Sequence, residues 1–230
     1  MGKSADIDLK FVVLISIFIT SLTSANFLAS KIALLGEIGG VLLLVPTGVL
    51  AYAVTFTTTD IIAESYGRKM AGKVVLAGFL TQVLIIIYSW VAVVLPTAPF
   101  LVEEHEWFNE AFSMLATSPP NIVLGSLVAY IISQFHDVWA FDKWRRITKG
   151  RWLWLRNNAS TLVSQLIDTA IFITLAFALL PPALGGTFIP WSLIPGTILG
   201  QYIIKVVIAL LDTPFVYLGV YLVGREVKVK

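Results

Sequence analysis

Six apolar runs, each long enough to cross a bilayer, follow one another along this sequence. A hydrocarbon core about 30 Å thick needs about 20 mostly apolar residues per helical crossing. The runs lie near residues 9–28, 41–62, 74–95, 122–141, 155–180 and 193–223. Only 13% of the residues are charged, about half the fraction of an ordinary soluble domain. The sequence therefore predicts an all-α integral membrane protein whose residues 1–230 form one domain of six transmembrane helices.

The remaining composition excludes several other classes of protein. The 16 basic residues nearly balance the 14 acidic ones, so no large positive field favours nucleic acid as a partner. Cysteine is absent, which removes disulfides and thiolate metal sites. No glycine-rich phosphate loop, His-Glu-x-x-His metal motif or Gly-x-Ser-x-Gly elbow is present. We expect no cofactor, no metal, no enzymatic activity and no ATPase within this chain.

Lysine and arginine are concentrated on alternate connections between the runs. Fourteen of the 16 basic residues lie before or at the start of the first run, after the second, between the fourth and the start of the fifth, or after the last. Cytoplasmic loops retain basic residues, so this distribution predicts that both termini lie in the cytoplasm. The expected location is the cytoplasmic (cell inner) membrane, crossed several times.

The connection from 96 to 120 is the longest on the opposite side. It carries Glu103, Glu104, Glu106 and Glu110 with aromatic residues interleaved. We expect an amphipathic helix over about residues 100–116, lying at the outer interface. The alternative is a lid over an outward-facing site.

Several ionisable residues fall inside the runs, where each is a functional hypothesis by default. Asp60 and Glu64 are four residues apart and share one helical face. Carboxylates at that spacing repel each other, so they favour a cation, a proton or a donor-rich ligand between them. The alternative is a solvated helix end in which they pair with Arg68.

A polar stripe follows the fifth run. Steps of three or four residues join Asn158 to Gln165 and Asp168, which places an amide and a carboxylate at mid-membrane depth. Lys205 in the sixth run lies near the same depth, so an ion pair with Asp168 is predicted, and its role is either structural or functional. Asp212 shares the face of Lys205. Structural hydrogen bonding between helices is the alternative interpretation of the stripe.

These residues form a pattern that resembles a known family. The segment Asp60-x3-Glu64-x-Tyr66-Gly67-Arg68, then Ser133-Gln134-x2-Asp137, then Arg156-Asn157-Asn158-x-Ser160-x3-Ser164-Gln165-x2-Asp168-Thr169, is similar to the queuosine precursor transporter family, also called the vitamin uptake transporter family. The resemblance covers nearly the whole chain from Asn26 to Pro214. It implies a six-helix inner-membrane importer of 7-deazaguanine bases, the precursors of queuosine or archaeosine. It also implies a likeness to the substrate-binding S-components of energy-coupling-factor transporters, without their ATPases.

The polar residues suit such a ligand. A guanine-like base offers two adjacent N–H donors and a neighbouring carbonyl, which a carboxylate and an amide or Lys can bind. We expect substrate binding by Asp60, Glu64, Asn158, Gln165, Asp168 and Lys205. Candidates for a coupling proton are Asp60, Asp168 and Asp212, and candidates for stacking on the base are Phe27, Tyr66 and Trp139.

The function predicted from the sequence is facilitated or proton-coupled import of a purine-like small molecule, a form of secondary transport. The first alternative is an S-component-like binding subunit for a vitamin or nucleobase that needs a partner ATPase. A second alternative is an intramembrane enzyme that uses the same carboxylates, although paired aspartates with metal-ligand spacing are missing. The expected partners are the lipid bilayer and the substrate, without an ATPase subunit, and the chain is compatible with a homodimer.

Overall fold

The structure is a computed structural model that describes residues 8–104, 106–147 and 153–224. Within these ranges the chain forms eight α-helices and one two-stranded sheet. The elements are α1 (Leu9–Leu28), β1 (Ile32–Ile38), β2 (Val41–Pro46), α2 (Gly48–Tyr66), α3 (Arg68–Val94), α4 (Pro99–Glu104), α5 (Glu106–Ile147), α6 (Leu153–Thr174), α7 (Pro181–Leu184) and α8 (Ile194–Val223). A π-helical turn at Leu175–Leu179 continues α6, and a 3₁₀ turn at Trp191–Leu193 leads into α8.

Five stretches of the described chain are long and apolar enough to cross a membrane, which confirms a helical, multi-pass membrane protein. They are Leu9–Leu28, Lys69–Val94, Trp107–Ser133, Leu162–Leu184 and Trp191–Ile208. Helix α2 is not among them, and its second half carries three consecutive threonines followed by Asp60 and Glu64. It packs against α1, α3 and α8, so neighbouring helices cover part of this more polar helix.

The second apolar run divides into a strand and a helix, which corrects the predicted span from residue 41. Val41–Pro46 pairs antiparallel with Ile32–Ile38. The turn between the strands is Gly39-Gly40, with φ of 57° and 83°, and a two-residue hairpin turn of this kind requires positive φ at both positions. Pro46 provides no donor to continue the ladder. Helix α2 therefore begins at Gly48, seven residues later than we predicted.

The outer amphipathic segment and the fourth predicted span are not separate helices. Helix α5 runs without a break over 42 residues, through Pro119 and Pro120. At 1.5 Å per residue it is about 63 Å long, roughly twice the thickness of the hydrocarbon core. Residues 107–116 are therefore helical, as predicted, but they belong to the first part of α5 and do not form a separate helix.

Contacts at the two ends show how the helices alternate in direction. At one end, Lys10 Nζ donates to the carbonyl oxygens of Leu222 and Val223, at 2.9 and 3.1 Å. Tyr66 Oη donates to Asp8 at the same end. The hairpin lies at the opposite end, where Thr187 Oγ1 donates to the carbonyl oxygen of Ser30 at 2.7 Å. The start of α1 and the end of α8 thus share one end of the bundle.

Two buried clusters hold the helices together. Near the hairpin end, Ile122, Ile173 and Phe177 pack with neighbours from α1 and α8. The second cluster joins Phe18 of α1 to Ile62 of α2 and to the first turns of α3. The space between these two clusters is where the polar side chains meet.

Glycine allows α8 to pack directly on the hairpin. The sequence Gly196-Thr-Ile-Leu-Gly200 places two glycines on one helical face. A Cβ atom at either glycine would collide with a backbone carbonyl oxygen of β2, that of Leu42 or that of Leu44. Small residues at this spacing let membrane helices approach another backbone closely. The hairpin and α8 therefore form one packed unit.

We predict that Gly200→Ala lowers the stability of the folded protein. The added methyl group meets the Leu44 carbonyl oxygen, and overpacking of this kind costs about 1–3 kcal/mol. The matched control is Gly72→Ala in α3, where a Cβ atom would meet nothing within 4 Å. Thermal unfolding of the purified protein in detergent should show a lower melting temperature for Gly200→Ala only. Equal melting temperatures for the two variants would contradict the close packing.

Candidate functional site

A central cavity of about 280 Å³ lies between α1, α2, α3, α5, α6 and α8. Each of these six helices contributes polar side chains to its wall. The polar residues that line it are Asn26, Tyr52, Thr55, Thr59, Gln82, Ser126, Tyr130, Ser133, Gln165, Asp168, Gln201 and Lys205. A cavity of this size, with a few polar groups converging on it, is the usual form of a small-molecule site.

An ion pair forms the charged side of the cavity. Lys205 Nζ of α8 lies 2.7 Å from Asp168 Oδ2 of α6, and the two side chains are 9% and 23% exposed. Ser133 Oγ of α5 lies 3.3 Å from the other carboxylate oxygen, Asp168 Oδ1. The single hydroxyl proton of Ser133 is shared with the carbonyl oxygen of Tyr130, which is 3.1 Å from Oγ. Asp168 Oδ2 therefore accepts from Lys205, and Oδ1 accepts a shared bond from Ser133. The ion pair predicted from the depths of Asp168 and Lys205 is confirmed.

The antiparallel packing of α5 and α6 sets the position of Asp168. One turn further towards the end where α6 begins, His136 Nδ1 and Ser164 Oγ are 3.0 Å apart. Ser164 and Asp168 are four residues apart on α6, and Ser133 and His136 are three apart on α5, so both pairs face the neighbouring helix. Gln165 adjoins Ser164 in the chain and also lines the cavity.

Amide side chains form another polar side. Asn26 Nδ2 of α1 donates to Gln82 Oε1 of α3 at 2.6 Å, and Gln82 Nε2 lies 3.4 Å from Thr23 Oγ1. Asn26 is 6% exposed and Gln82 is 1% exposed. Both residues lie in apolar helices, and the residues that we predicted from the sequence to bind substrate did not include them.

Gln201 of α8 was also missed. It lines the cavity and is 4% exposed, and its Oε1 accepts no hydrogen bond from any described residue. The signal in the sequence was its position four residues before Lys205, which places both side chains on one face of α8.

Aromatic rings form the walls between these polar groups. Tyr52 and Phe56 of α2 meet edge to face, with ring centroids 4.9 Å apart. Phe79 of α3 and Tyr130 of α5 have centroids 6.2 Å apart. Phe172 of α6 adds a further ring to the wall.

The three rings that were candidates for stacking on a ligand do not line this cavity. Tyr66 packs against Phe11 at a centroid distance of 4.6 Å, and Trp139 lies under Lys143, whose Nζ is 4.8 Å from the ring centroid. Neither of them nor Phe27 lines the cavity. Helical periodicity does not determine which neighbour a helix face meets, so it did not separate these rings from those of the wall.

The structure brings together three of the six residues predicted to bind substrate. Gln165, Asp168 and Lys205 line the cavity. Asp60 and Glu64 are exposed side chains of α2 and do not line it. Asn158 is the sixth predicted residue, and Asp212 is a candidate for a coupling proton. The side chains of both lie outside the part of the chain that the structure describes.

The chemistry of the cavity suits binding of a planar polar molecule. Its described lining combines one carboxylate, one ammonium group, amides, hydroxyls and aromatic rings. Among the described residues, no group of three His, Cys, Asp or Glu side chains is arranged to hold a metal ion. The charges of the ion pair cancel, so the interactions that this lining offers are hydrogen bonds and ring contacts.

Comparison with known proteins identifies the family. The model of a family described as "Putative vitamin uptake transporter" matches residues 46–219. A protein of Bacillus subtilis (strain 168) named "Probable queuosine precursor transporter" is 35% identical over 179 residues, which cover 74% of this chain and 69% of the relative. The "Queuosine precursor transporter" of Escherichia coli (strain K12) is 28% identical over 136 residues, 59% of this chain and 57% of that protein. No solved structure matches.

These matches agree with the resemblance found in the sequence, and they concern transporters rather than enzymes. The family match includes α2, α3, α5, α6 and nearly all of α8, which carry most of the cavity wall. The chain belongs to the family of vitamin uptake transporters, the family that includes the queuosine precursor transporters.

Proposed function

We propose that this protein imports a queuosine or archaeosine precursor, a 7-deazaguanine base, across the cytoplasmic membrane. The observation that carries the proposal is the cavity between six helices, in which an Asp168–Lys205 ion pair, amides and aromatic rings converge. The names of the two relatives support this substrate class. Transport is facilitated or proton-coupled.

The proposed topology has six crossings with both termini in the cytoplasm. Helix α2 adds a crossing to the five apolar stretches, and its packing against α1, α3 and α8 supports this assignment. Basic residues on alternate connections support cytoplasmic termini. The contact between Lys10 and the last carbonyl groups of α8 is consistent with an even number of crossings.

The ion pair can bind the base without being broken. A carboxylate has about four acceptor positions and an ammonium group has three donors. Asp168 uses two acceptor positions, on Lys205 and Ser133, and Lys205 uses one donor on Asp168. Asp168 can therefore accept from the N–H groups of the base while Lys205 donates to its carbonyl oxygen. Gln165, beside them in the lining, adds an amide.

The aromatic walls provide the remaining binding energy. A purine-like ring that enters between Tyr52–Phe56 and Phe79–Tyr130 contacts aromatic side chains from three helices. Stacking of a base on one aromatic ring is worth about 1–3 kcal/mol in proteins that bind single-stranded nucleic acids. Tyr52 and Tyr130 take the role that we expected for Tyr66 or Trp139.

The proposed transporter works without a partner ATPase. The names of the relatives, which describe transporters, support this proposal. The alternative is an S-component-like subunit that binds a vitamin or nucleobase and needs a separate ATPase, and reconstitution separates the two.

We predict that the purified protein alone, in liposomes without nucleotide, takes up radiolabelled 7-deazaguanine, because carrier and binding site are one chain. Uptake into protein-free liposomes is the control. A protonophore should abolish accumulation above the external concentration if transport is proton-coupled, and leave equilibration unchanged if it is facilitated. Binding of the base without uptake would favour the subunit hypothesis instead.

We predict that Asp168→Asn lowers uptake at least tenfold, because it leaves the ammonium group of Lys205 without its counter-charge and weakens the acceptor for the base. Glu64→Gln is the matched control, since Glu64 is exposed and lies outside the cavity. Uptake by cells that lack their own importer is the measurement. Equal uptake by both variants would remove Asp168 from the binding site.

The exchanged pair Asp168→Lys with Lys205→Asp separates recognition from folding. It restores opposite charges between α6 and α8 but reverses which helix carries the acceptor. We expect normal amounts of protein in the membrane and uptake that remains low. Full recovery of uptake by the double variant would make the pair structural only.

A further inference from the structure

We propose that Gln201 determines specificity in this site by accepting a hydrogen bond from an N–H group of the transported base. The inference rests on the function proposed above and adds a residue that neither the sequence pattern nor the relatives' names assign. The N–H group belongs to the amide edge of the ring or to the exocyclic amino group beside it.

The unpaired side-chain oxygen of Gln201 costs the folded protein free energy. Gln201 is 4% exposed, and its Oε1 is buried with no partner among the described residues. A buried acceptor that lacks a hydrogen bond is destabilising, and most such groups in native proteins are paired. A ligand with an N–H donor in the adjoining cavity provides the missing partner.

The position of Gln201 on α8 places it next to the ion pair. Gln201 and Lys205 are one helical turn apart on α8, and both line the cavity. Lys205 provides donors only, and Gln201 Oε1 is an acceptor without a bond. One face of α8 thus presents a donor and an acceptor in sequence, which is the complement of a carbonyl group followed by an N–H group along one edge of a base.

The backbone of Gln201 is fixed, whereas its side-chain amide can turn. Gly200, the residue before it, packs on the carbonyl oxygen of Leu44 in the hairpin, so this part of α8 has no room to shift towards β2. The last torsion of a glutamine side chain is broad and roughly two-fold. Because this torsion is broad, a partial rotation directs Oε1 to a ligand without moving the helix and without placing Nε2 in the buried position.

The buried acceptor of Gln201 lets the site discriminate between bases that have the matching N–H group and bases that lack it. A site that provides a buried acceptor rejects an analogue that lacks the matching donor, because the acceptor is then left unpaired. Purine-like bases that have the same ring but lack the N–H group should enter the cavity and bind more weakly.

The test compares three ligands on the purified full chain in detergent. They are 7-deazaguanine, 7-deazahypoxanthine, which lacks the exocyclic amino group, and 1-methyl-7-deazaguanine, which lacks the ring N–H donor. We expect the wild-type protein to bind 7-deazaguanine about 5- to 100-fold more tightly than at least one analogue. In Gln201→Met, which retains the length of the side chain but removes the acceptor, that preference should fall below about twofold.

The control variant is Thr197→Val. Thr197 lies one turn before Gln201 and is fully buried, and its hydroxyl donates to the carbonyl oxygen of Leu193, the residue just before α8. It does not line the cavity. Like Gln201→Met, Thr197→Val removes a buried polar group from α8. We expect this variant to retain the wild-type order of affinity for the three ligands. Melting temperatures show whether each variant is folded.

Three outcomes would overturn the proposal. The first is wild-type dissociation constants within twofold of each other for the three ligands, a measurement that does not depend on whether Gln201→Met folds. The second is an equal weakening of all three ligands by Gln201→Met, and the third is no change in that variant. Binding of 7-deazaguanine in these cases leaves the proposed function intact, whereas failure of the wild-type protein to bind any of the three rejects the function and the inference together.

Discussion

A charged side chain inside a membrane protein needs a partner within the protein, and the Asp168–Lys205 ion pair meets that need here. Asp168 lies on α6, Lys205 on α8, and Ser133 of α5 donates to the second carboxylate oxygen. Three helices are therefore held in register by one carboxylate. Because this contact lies in the wall of the cavity, the interaction that fixes the helices also determines the chemistry of the site.

The other polar groups of the cavity follow the same rule with neutral partners. Asn26 donates to Gln82 in the cavity wall, and outside the lining His136 lies within hydrogen-bond distance of Ser164. Each pair joins two helices, so burial of these groups costs less than it would without partners. Gln201 differs from them because its Oε1 has no partner among the described residues. Because most polar groups of the cavity wall have a hydrogen-bond partner, the unpaired Oε1 of Gln201 indicates a position where a ligand binds.

Sequence reasoning found Gln165, Asp168 and Lys205 because depth and helical periodicity are both encoded locally. It failed where the answer depends on neighbours that lie far away in the chain. Asp60 and Glu64 share a face of α2, as predicted, but the packing of α2 on α1, α3 and α8 leaves both side chains exposed and outside the cavity. The cavity rings Tyr52 and Tyr130 could not be separated from Tyr66 by composition, because all three are aromatic residues in helices. Asn26 and Gln82 are amides within apolar runs, but the bond between them joins α1 to α3, and the sequence does not show which helix faces meet.

The hairpin shows the same limit and has a consequence for the site. An apolar run such as Val41–Pro46 is equally compatible with a strand and a helix, and only the Gly39-Gly40 turn before it favours the strand. In a bilayer, a strand edge exposed to lipid would leave backbone groups unpaired. Here α8 covers β2, through Gly196 and Gly200. The residue after Gly200 is Gln201, and Lys205 lies one turn beyond it, so the element that covers the hairpin also carries two polar residues of the cavity. Any displacement of the hairpin relative to α8 must separate this contact, and the geometry of the site is therefore coupled to the end of the bundle where the hairpin lies.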